Sequence, residues 1–420
     1  MRGKMRLSVI FSLIMILAGM AFFTACGGEG DDGVRDTAAT ETREDAVITI
    51  GNLTDKTGAS SSALSVMDMA LEDMVNHYNE NELIPGVRVR VVSYDARYDP
   101  SKHTPGYLWL RERGADLIYC ADPNALETLK SRADRDRFLL FASSAQDALL
   151  GEPGYAFCAG THPSDLTYTA LSWIAENDWD YELNGPAKVG IVGWQSANIE
   201  AAADGMKAYC REHPEQFEWG GSYQTQFTFT WQTEVHTVKD FDYVYPPMAP
   251  MVTFAKEYRD AGGRAKFIGL DAHAAFFDLV TDARVWDDID GMIFGRESKW
   301  WNEEGELIDL TRDLLYNNHP DSAEKIIRSG CGYLATSHAL VLLETIKKAS
   351  QAVGPENIDS EALYEAAKSL VVNLNGLDRY SFSETKRLGN NYLGFYEAVA
   401  DEKDIFRLGD WVPLLYAPRD

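Results

Sequence analysis

Two adjacent serines, Ser143 and Ser144, follow the apolar run 138–142 in FLLFASSAQDAL. Such a run reads as a buried strand. Hydroxyls and backbone N–H groups at a strand's carboxyl end form a cradle for a carboxylate, and the same serines would also suit a helix N-cap. Asp271 stands directly after the run 266–270, where its carboxylate is placed to receive a cation through a charge-assisted hydrogen bond or to cap the helix opening at Ala272-His273. After the short apolar run 116–120 come Asp122 and Asn124; Asp122 suits an N-cap, which leaves Asn124 as the contact residue. Trp194 and Asn198 follow KVGIVG at 188–193, with Trp194 able to supply an aromatic wall. Asp55 and Thr57 lie in the first polar loop, and Tyr168 opens a helix as either a cleft residue or a core tyrosine. Trp300-Trp301 could line a hinge or pack between lobes. These side chains are candidates for holding a ligand, and no Ser-His-Asp set can be placed among them from the sequence.

No GxSxG, HExxH, GxxxxGK[ST] or glycine-rich dinucleotide motif stands in a supporting context. The histidines, among them His103, His162, His236, His273 and His338, show no metal spacing and read as surface or capping residues. The expectation is a protein that is not an enzyme, with no cofactor and no metal. Besides Cys26 there are Cys120, Cys158, Cys210 and Cys331, with no CxxC or Cys/His spacing. Four cysteines allow three full pairings in an exported protein, and buried free thiols are expected for at least two of them.

The formal net charge is −26 over 420 residues. That excludes a nucleic-acid partner, which requires clustered Lys/Arg, and disfavours docking on anionic headgroups. The chain opens with Arg2, Lys4 and Arg6, an apolar stretch 9–23, and Thr24-Ala25-Cys26. This is a secretory signal by pattern, residues 1–25. Residues 27–45 are Gly, Asp, Glu, Thr and Ala with almost no apolar side chains, so 26–45 is expected to be a disordered tether. No later stretch reaches the roughly 18 consecutive apolar residues of a membrane span.

The elements that must position the candidate residues alternate regularly. VITIG at 47–51 reads as a buried strand running into a polar loop, 52–57, and then a helix over 63–81 with Leu64, Met67, Leu71, Met74, Val75 and Tyr78 on one face. Strands at 87–94, 116–120 and 138–142 alternate with helices, the pattern of a parallel sheet covered on both faces, and 155–158 is another strand. The series restarts with a helix at 165–179 and strands at 188–193, 241–245, 266–270 and 289–294, with a strand-rich patch over 218–229 between the first two. Long helices follow at 307–317, 332–350 and 360–370, then short strands, clearest at 392–396. Ligands in open parallel sheets sit outside the carboxyl ends of the strands, which is where Asp55, Asn124, Ser143, Ser144, Trp194 and Asp271 fall.

In order and spacing the segments ITIGNLTDKTGA, VVSYDARYDPSK, GADLIYCADPNAL, FLLFASSAQDAL, YAFCAGTHPSDLTYTAL, AKVGIVGWQSANIEAAADGMKAY, FAKEYRDAGGRAKFIGLDA and SGCGYLATSHALVLLETIKKA resemble the type I periplasmic substrate-binding proteins of the branched-chain amino acid class, over 46–396. The start resembles a bacterial lipoprotein signal in which Cys26 becomes the diacylated first residue and the membrane anchor. The resemblance implies an α/β fold of two Rossmann-like lobes joined by a three-stranded hinge. Lobe one would be 46–163 plus 300–372 and lobe two 164–294 plus 378–420, with crossings near 160–163, 295–299 and 373–377. It implies that Ser143 and Ser144 hold a ligand carboxylate and Asp271 a ligand ammonium. The segment around 245–247 is shortened, and a tyrosine usual near Asn198 is replaced, which bears on the ligand class. Arg97 stands where some members carry a cysteine that pairs with the one matching Cys120, so that bridge should be missing. The expected function is capture of a small polar metabolite, an amino acid or relative, for an ABC permease outside the cytoplasm; the alternative is a surface sensor read by a partner receptor.

Overall fold

The structure is a computed structural model that describes residues 45–419 except 59, 123 and 249. The expected signal, Cys26 anchor and tether lie outside the described residues.

The first sheet holds β1 (Ala46–Thr54), β2 (Val87–Asp95), β3 (Leu117–Cys120), β4 (Leu140–Ala142) and β5 (Ala156–Cys158), in the order β2-β1-β3-β4-β5. Every pairing is parallel. The sheet is buried on both faces, as all-parallel sheets must be. Ile48 and Ile50 pack with Leu71, Met74 and Leu342 on one side. Leu53, Leu110, Leu126 and Leu140 pack on the other. Each such side chain contributes about 1.5–3 kcal/mol when fully buried. Strand β1 runs three residues further than its β-branched core suggested. Asn52, Leu53 and Thr54, expected in a loop, are buried and paired with β2 and β3.

The second sheet holds β6 (Ala187–Trp194), β7 (Phe217–Thr225), β8 (Tyr243–Tyr245), β9 (Lys266–Leu270) and β10 (Ile293–Arg296). A hairpin of β11 (Val371–Leu374) and β12 (Leu377–Ser381) stands apart from both sheets. Two further strands, β13 (Tyr392–Val399) and β14 (Asp404–Pro413), complete the second sheet, ordered β14-β13-β10-β9-β8-β6-β7. Strands β13 and β14 are antiparallel to their neighbours and the rest are parallel.

This is the two-lobed α/β architecture expected. After β5 the chain enters helix Pro163–Asn177, which packs on helix Ala197–Glu212 of the second lobe. After β10 it returns to helices Glu306–Asn318 and Thr336–Val353, which pack on helix Ser61–Glu80 of the first. Residues 373–377 span the turn of the β11–β12 hairpin, and residues 382–391 carry the chain on to β13, with Leu388 bridged to Cys158. One apolar cluster runs through the junction: Phe254, Phe277 and Phe294 of the second lobe join Trp300, Trp301, Leu315 and Tyr333. Among the described residues the four cysteines are free thiols, Cys120 included, so the bridge lost with Arg97 is not replaced.

Candidate functional site

Parallel pairing brings the carboxyl ends of β1, β3 and β4 to one edge. Asp122 N–H donates to Leu53 O (3.1 Å) and Ser143 N–H to Cys120 O (3.0 Å). Ser143 Oγ donates to Ala121 O at 2.9 Å, and Ser144 follows with a half-buried side chain. Asp122 Oδ1 accepts from Asn124 N–H at 2.9 Å, and Asn124 immediately precedes helix Ala125–Asp136 with its side chain exposed. Asp122 is fully enclosed, with His103 Nε2 at 3.1 Å. Ser143, Ser144, Asn124 and Asp55 are therefore neighbours on one edge. Asp55 is buried, and its carboxylate accepts from the backbone N–H groups of Thr57, Gly58 and Ser60, so it shapes the loop.

The matching edge of the second lobe centres on Asp271. Strands β9 and β10 lie side by side with Leu270 opposite Gly295, which sets Asp271 beside Arg296. Asp271 Oδ1 is 2.9 Å from Arg296 Nη1, and Oδ2 accepts from Glu297 N–H at 2.9 Å. Arg296 is completely buried between the rings of Trp300 and Tyr396. The expected ammonium receptor is thus already paired within its own lobe. Its backbone carbonyl faces the other lobe, where Cys331 Sγ donates to it at 3.3 Å. Burial pushes that thiol up to about 12, so it stays protonated. Beside it Gly330, at φ +119°, lies against the second lobe so closely that a Cβ would come within 1.8 Å of Ala274 O.

Glu297 gathers the segments that join the lobes. Thr161, just after β5, donates to its carboxylate through side chain and backbone, and Arg379 of β12 donates to its carbonyl at 2.6 Å. Gly160 leaves room there, since a Cβ would meet Glu297 Oε2 at 3.1 Å. Burial, with the Asp271 charge adding to it, pushes the Glu297 carboxyl up to about 8. Burial likewise lowers His338, to about 4, with the Asp271 charge opposing; its Nδ1 is 3.0 Å from Tyr119 Oη on β3.

The other candidates lie elsewhere. Tyr168 is buried between two helices of the second lobe, its hydroxyl on Glu212 (2.6 Å) and its ring edge-on to Tyr209. Trp194 donates from Nε1 to Thr228 O (2.8 Å) and stacks on Phe227, which is 73% exposed, with Phe229 edge-on. Asn198 sits half-buried in the first turn of helix Ala197–Glu212. Trp301 Nε1 donates to Gly330 O at 2.8 Å and holds the glycine in place from its own side of the junction.

Reading the sequence gave His338, which meets Tyr119, only as a surface or capping residue, and missed Arg296, Glu297 and Asp68. The last had a signal: four residues after Leu64 and three before Leu71, it stands within the apolar stripe of its helix. Among the described residues no group of three or more His, Cys, Asp or Glu is placed to hold a metal ion.

A family model described as periplasmic binding protein matches residues 47–403. Among solved structures, a branched-chain amino acid ABC transporter protein from Thermus thermophilus with bound valine is similar at TM-score 0.74 and 18% identity, over 88% of this chain and 97% of that one. A fatty acid ABC transporter substrate-binding protein from Thermomonospora curvata is similar at 0.70 and 15%, over 88% and 92%. A solute-binding protein of an ABC transporter from R. palustris in complex with 4-hydroxybenzoate is similar at 0.69 and 15%, over 89% and 98%. At these identities the likeness concerns the fold. No curated protein matches by sequence.

Proposed function

Because the chain belongs to the periplasmic binding protein family, we propose that it is an extracytoplasmic solute-binding protein. In this reading it holds a small polar metabolite, an amino acid or relative, between its lobes and delivers it to an ABC importer. The carrying observation is the contact of the two lobes at Asp271, tied to its own lobe by Arg296 and to the other by the Cys331 thiol. A ligand between these edges would draw the lobes together about the segments that Glu297 joins. No bond is made or broken.

The two ligands named for the similar structures, valine and 4-hydroxybenzoate, both carry a carboxylate, as fatty acids do. The Ser143-Ser144 edge beside Asn124 is the place proposed for that group, and Trp194, Asn198, Asp55 and Tyr168 act at most through the loops and helices they anchor. Cys26 is proposed as the lipidated anchor that leashes the body to the outer face of a membrane.

A thermal-shift screen against amino acids, amides, carboxylates and sugars tests the reading, since a ligand that binds only the folded form raises the melting point by mass action. A shift with a carboxylate-bearing compound, weakened about tenfold or more by Ser143→Ala with Ser144→Ala, is the expected result. Failure of the wild-type chain to respond to any compound, or to retain one through purification, would sink it.

A further inference from the structure

The first lobe carries a buried polar cluster that its own fold leaves incomplete. Asn52 and Thr54, near and at the carboxyl end of β1, point to the same face of the sheet as Ile48 and Ile50, toward helix Ser61–Glu80. Asp68 on that helix lies between their side chains and accepts from Asn52 Nδ2 at 2.6 Å. All three residues are more than nine-tenths buried, at 1%, 0% and 7% exposure. Yet Asn52 Oδ1, Thr54 Oγ1 and Asp68 Oδ2 have no hydrogen-bond partner among the described residues.

The orientation of the Asn52 amide is fixed, because only its NH2 can face a carboxylate. The Asn52 carbonyl is then an acceptor without a donor, while the Thr54 hydroxyl faces the Asp68 carboxylate and keeps lone pairs free to accept; among the described residues the carboxylate has no ion-pair partner, the exposed Lys56 contributing only the field of a charge on the neighbouring loop and Glu72 opposing it. Burial accordingly holds the Asp68 carboxyl above its ordinary range. A buried charge without a counter-ion is costly unless something completes it. The cluster also adjoins the junction. Asn52 is paired in register with Tyr119, Tyr119 meets His338, and His338 lies within the field of Asp271.

We propose that Asn52, Thr54 and Asp68 form the ammonium subsite of the ligand cleft, taking a primary ammonium whose N–H donors the Asn52 carbonyl, the Thr54 hydroxyl oxygen and the Asp68 carboxylate accept. This rests on the binding-protein reading above and assigns to the first lobe the role that Asp271, occupied by Arg296, does not fill. The ligand class is a small compound with a primary amine, its carboxylate, where present, reaching the serine edge.

The test uses the full-length chain and three probe sets: amino acids, primary amines, and carboxylates of matching skeleton without nitrogen. Melting shifts and calorimetric affinities are measured for wild type, Asp68→Asn and Thr54→Val. The expected result is that the wild type responds only to probes with a primary ammonium and that Asp68→Asn weakens them about a hundredfold. Without ligand, Asp68→Asn should melt no lower than wild type, because an uncompensated buried charge has been removed; a purely structural carboxylate would instead show a lower melting point. Undiminished amine affinity in Asp68→Asn overturns the subsite and leaves the binding-protein reading intact. So does a wild type that binds only nitrogen-free carboxylates. A wild type that binds no probe of any set overturns both.

Discussion

Asp271 Oδ1 and Arg296 Nη1 lie 2.9 Å apart at the ends of neighbouring strands, the arginine wholly buried and the carboxylate one-third exposed. That asymmetry predicts unequal costs. Asp271→Ala strands a buried guanidinium, with a loss on the order of 3 kcal/mol. Arg296→Met leaves a carboxylate that water can reach and an apolar chain between Trp300 and Tyr396, at about 1 kcal/mol. Urea denaturation of both variants checks the order; equal losses would mean that the pair is not coupled as described.

His273 accepts the Leu270 N–H at Nδ1 (3.0 Å) and has Pro246 O at 3.0 Å from Nε2, so the neutral tautomer protonated at Nε2 is the one the fold uses. Burial lowers it to about 4 from 6.5. Between these values the unfolded chain binds a proton that the folded chain refuses, so stability is full above pH 6.5 and falls as pH drops toward 4, by about 3 kcal/mol in all. Proton NMR of the His273 ring should show no titration above pH 5.

Glu297 works in the opposite sense. Its folded carboxyl keeps its proton up to about pH 8, while the unfolded one ionises near 4.5. Across that window the folded state holds the extra proton, so this group's contribution falls as pH rises, by up to about 1.4 kcal/mol per pH unit, and is flat outside it. Glu297→Gln should flatten the stability profile between these limits. An unchanged slope would show that the carboxyl titrates normally.

Gly330 permits the approach of the lobes at Ala274. Gly330→Ala adds a methyl where the carbonyl stands and strains a positive φ, at about 2 kcal/mol or more. Each lobe keeps its own sheet, so circular dichroism should be unchanged while ligand affinity falls. Wild-type affinity in this variant would place lobe closure elsewhere.

Cys26→Ser should leave the chain unlabelled by radioactive palmitate and release it from the membrane fraction of the expressing bacterium, with ligand-induced melting shifts unaltered. Continued membrane association without the cysteine would favour an uncleaved anchor helix.

The sheets were legible because their strands are short apolar runs between turn residues, and the helix at 61–80 because its apolar residues recur at three and four. The carboxyl edge was legible too, since a parallel series places every strand end on one side. What stayed hidden depends on neighbours across the fold. That Asp271 faces Arg296 follows from β9 and β10 being adjacent, which no local pattern states. Tyr168 could not be assigned between cleft and core until helix Pro163–Asn177 was seen against helix Ala197–Glu212. The β11–β12 hairpin escaped because its strands are short and only partly buried, and periodicity is weak in such strands.

The apolar cluster that crosses the junction through Trp300, Trp301 and Tyr333 has a thermodynamic consequence. Unfolding either lobe alone would expose part of the packing on which the other depends, so neither is an independent cooperative unit. A calorimetric scan should give one endotherm with van't Hoff and calorimetric enthalpies in agreement, and hydrogen exchange in the two sheets should share a single slowest opening.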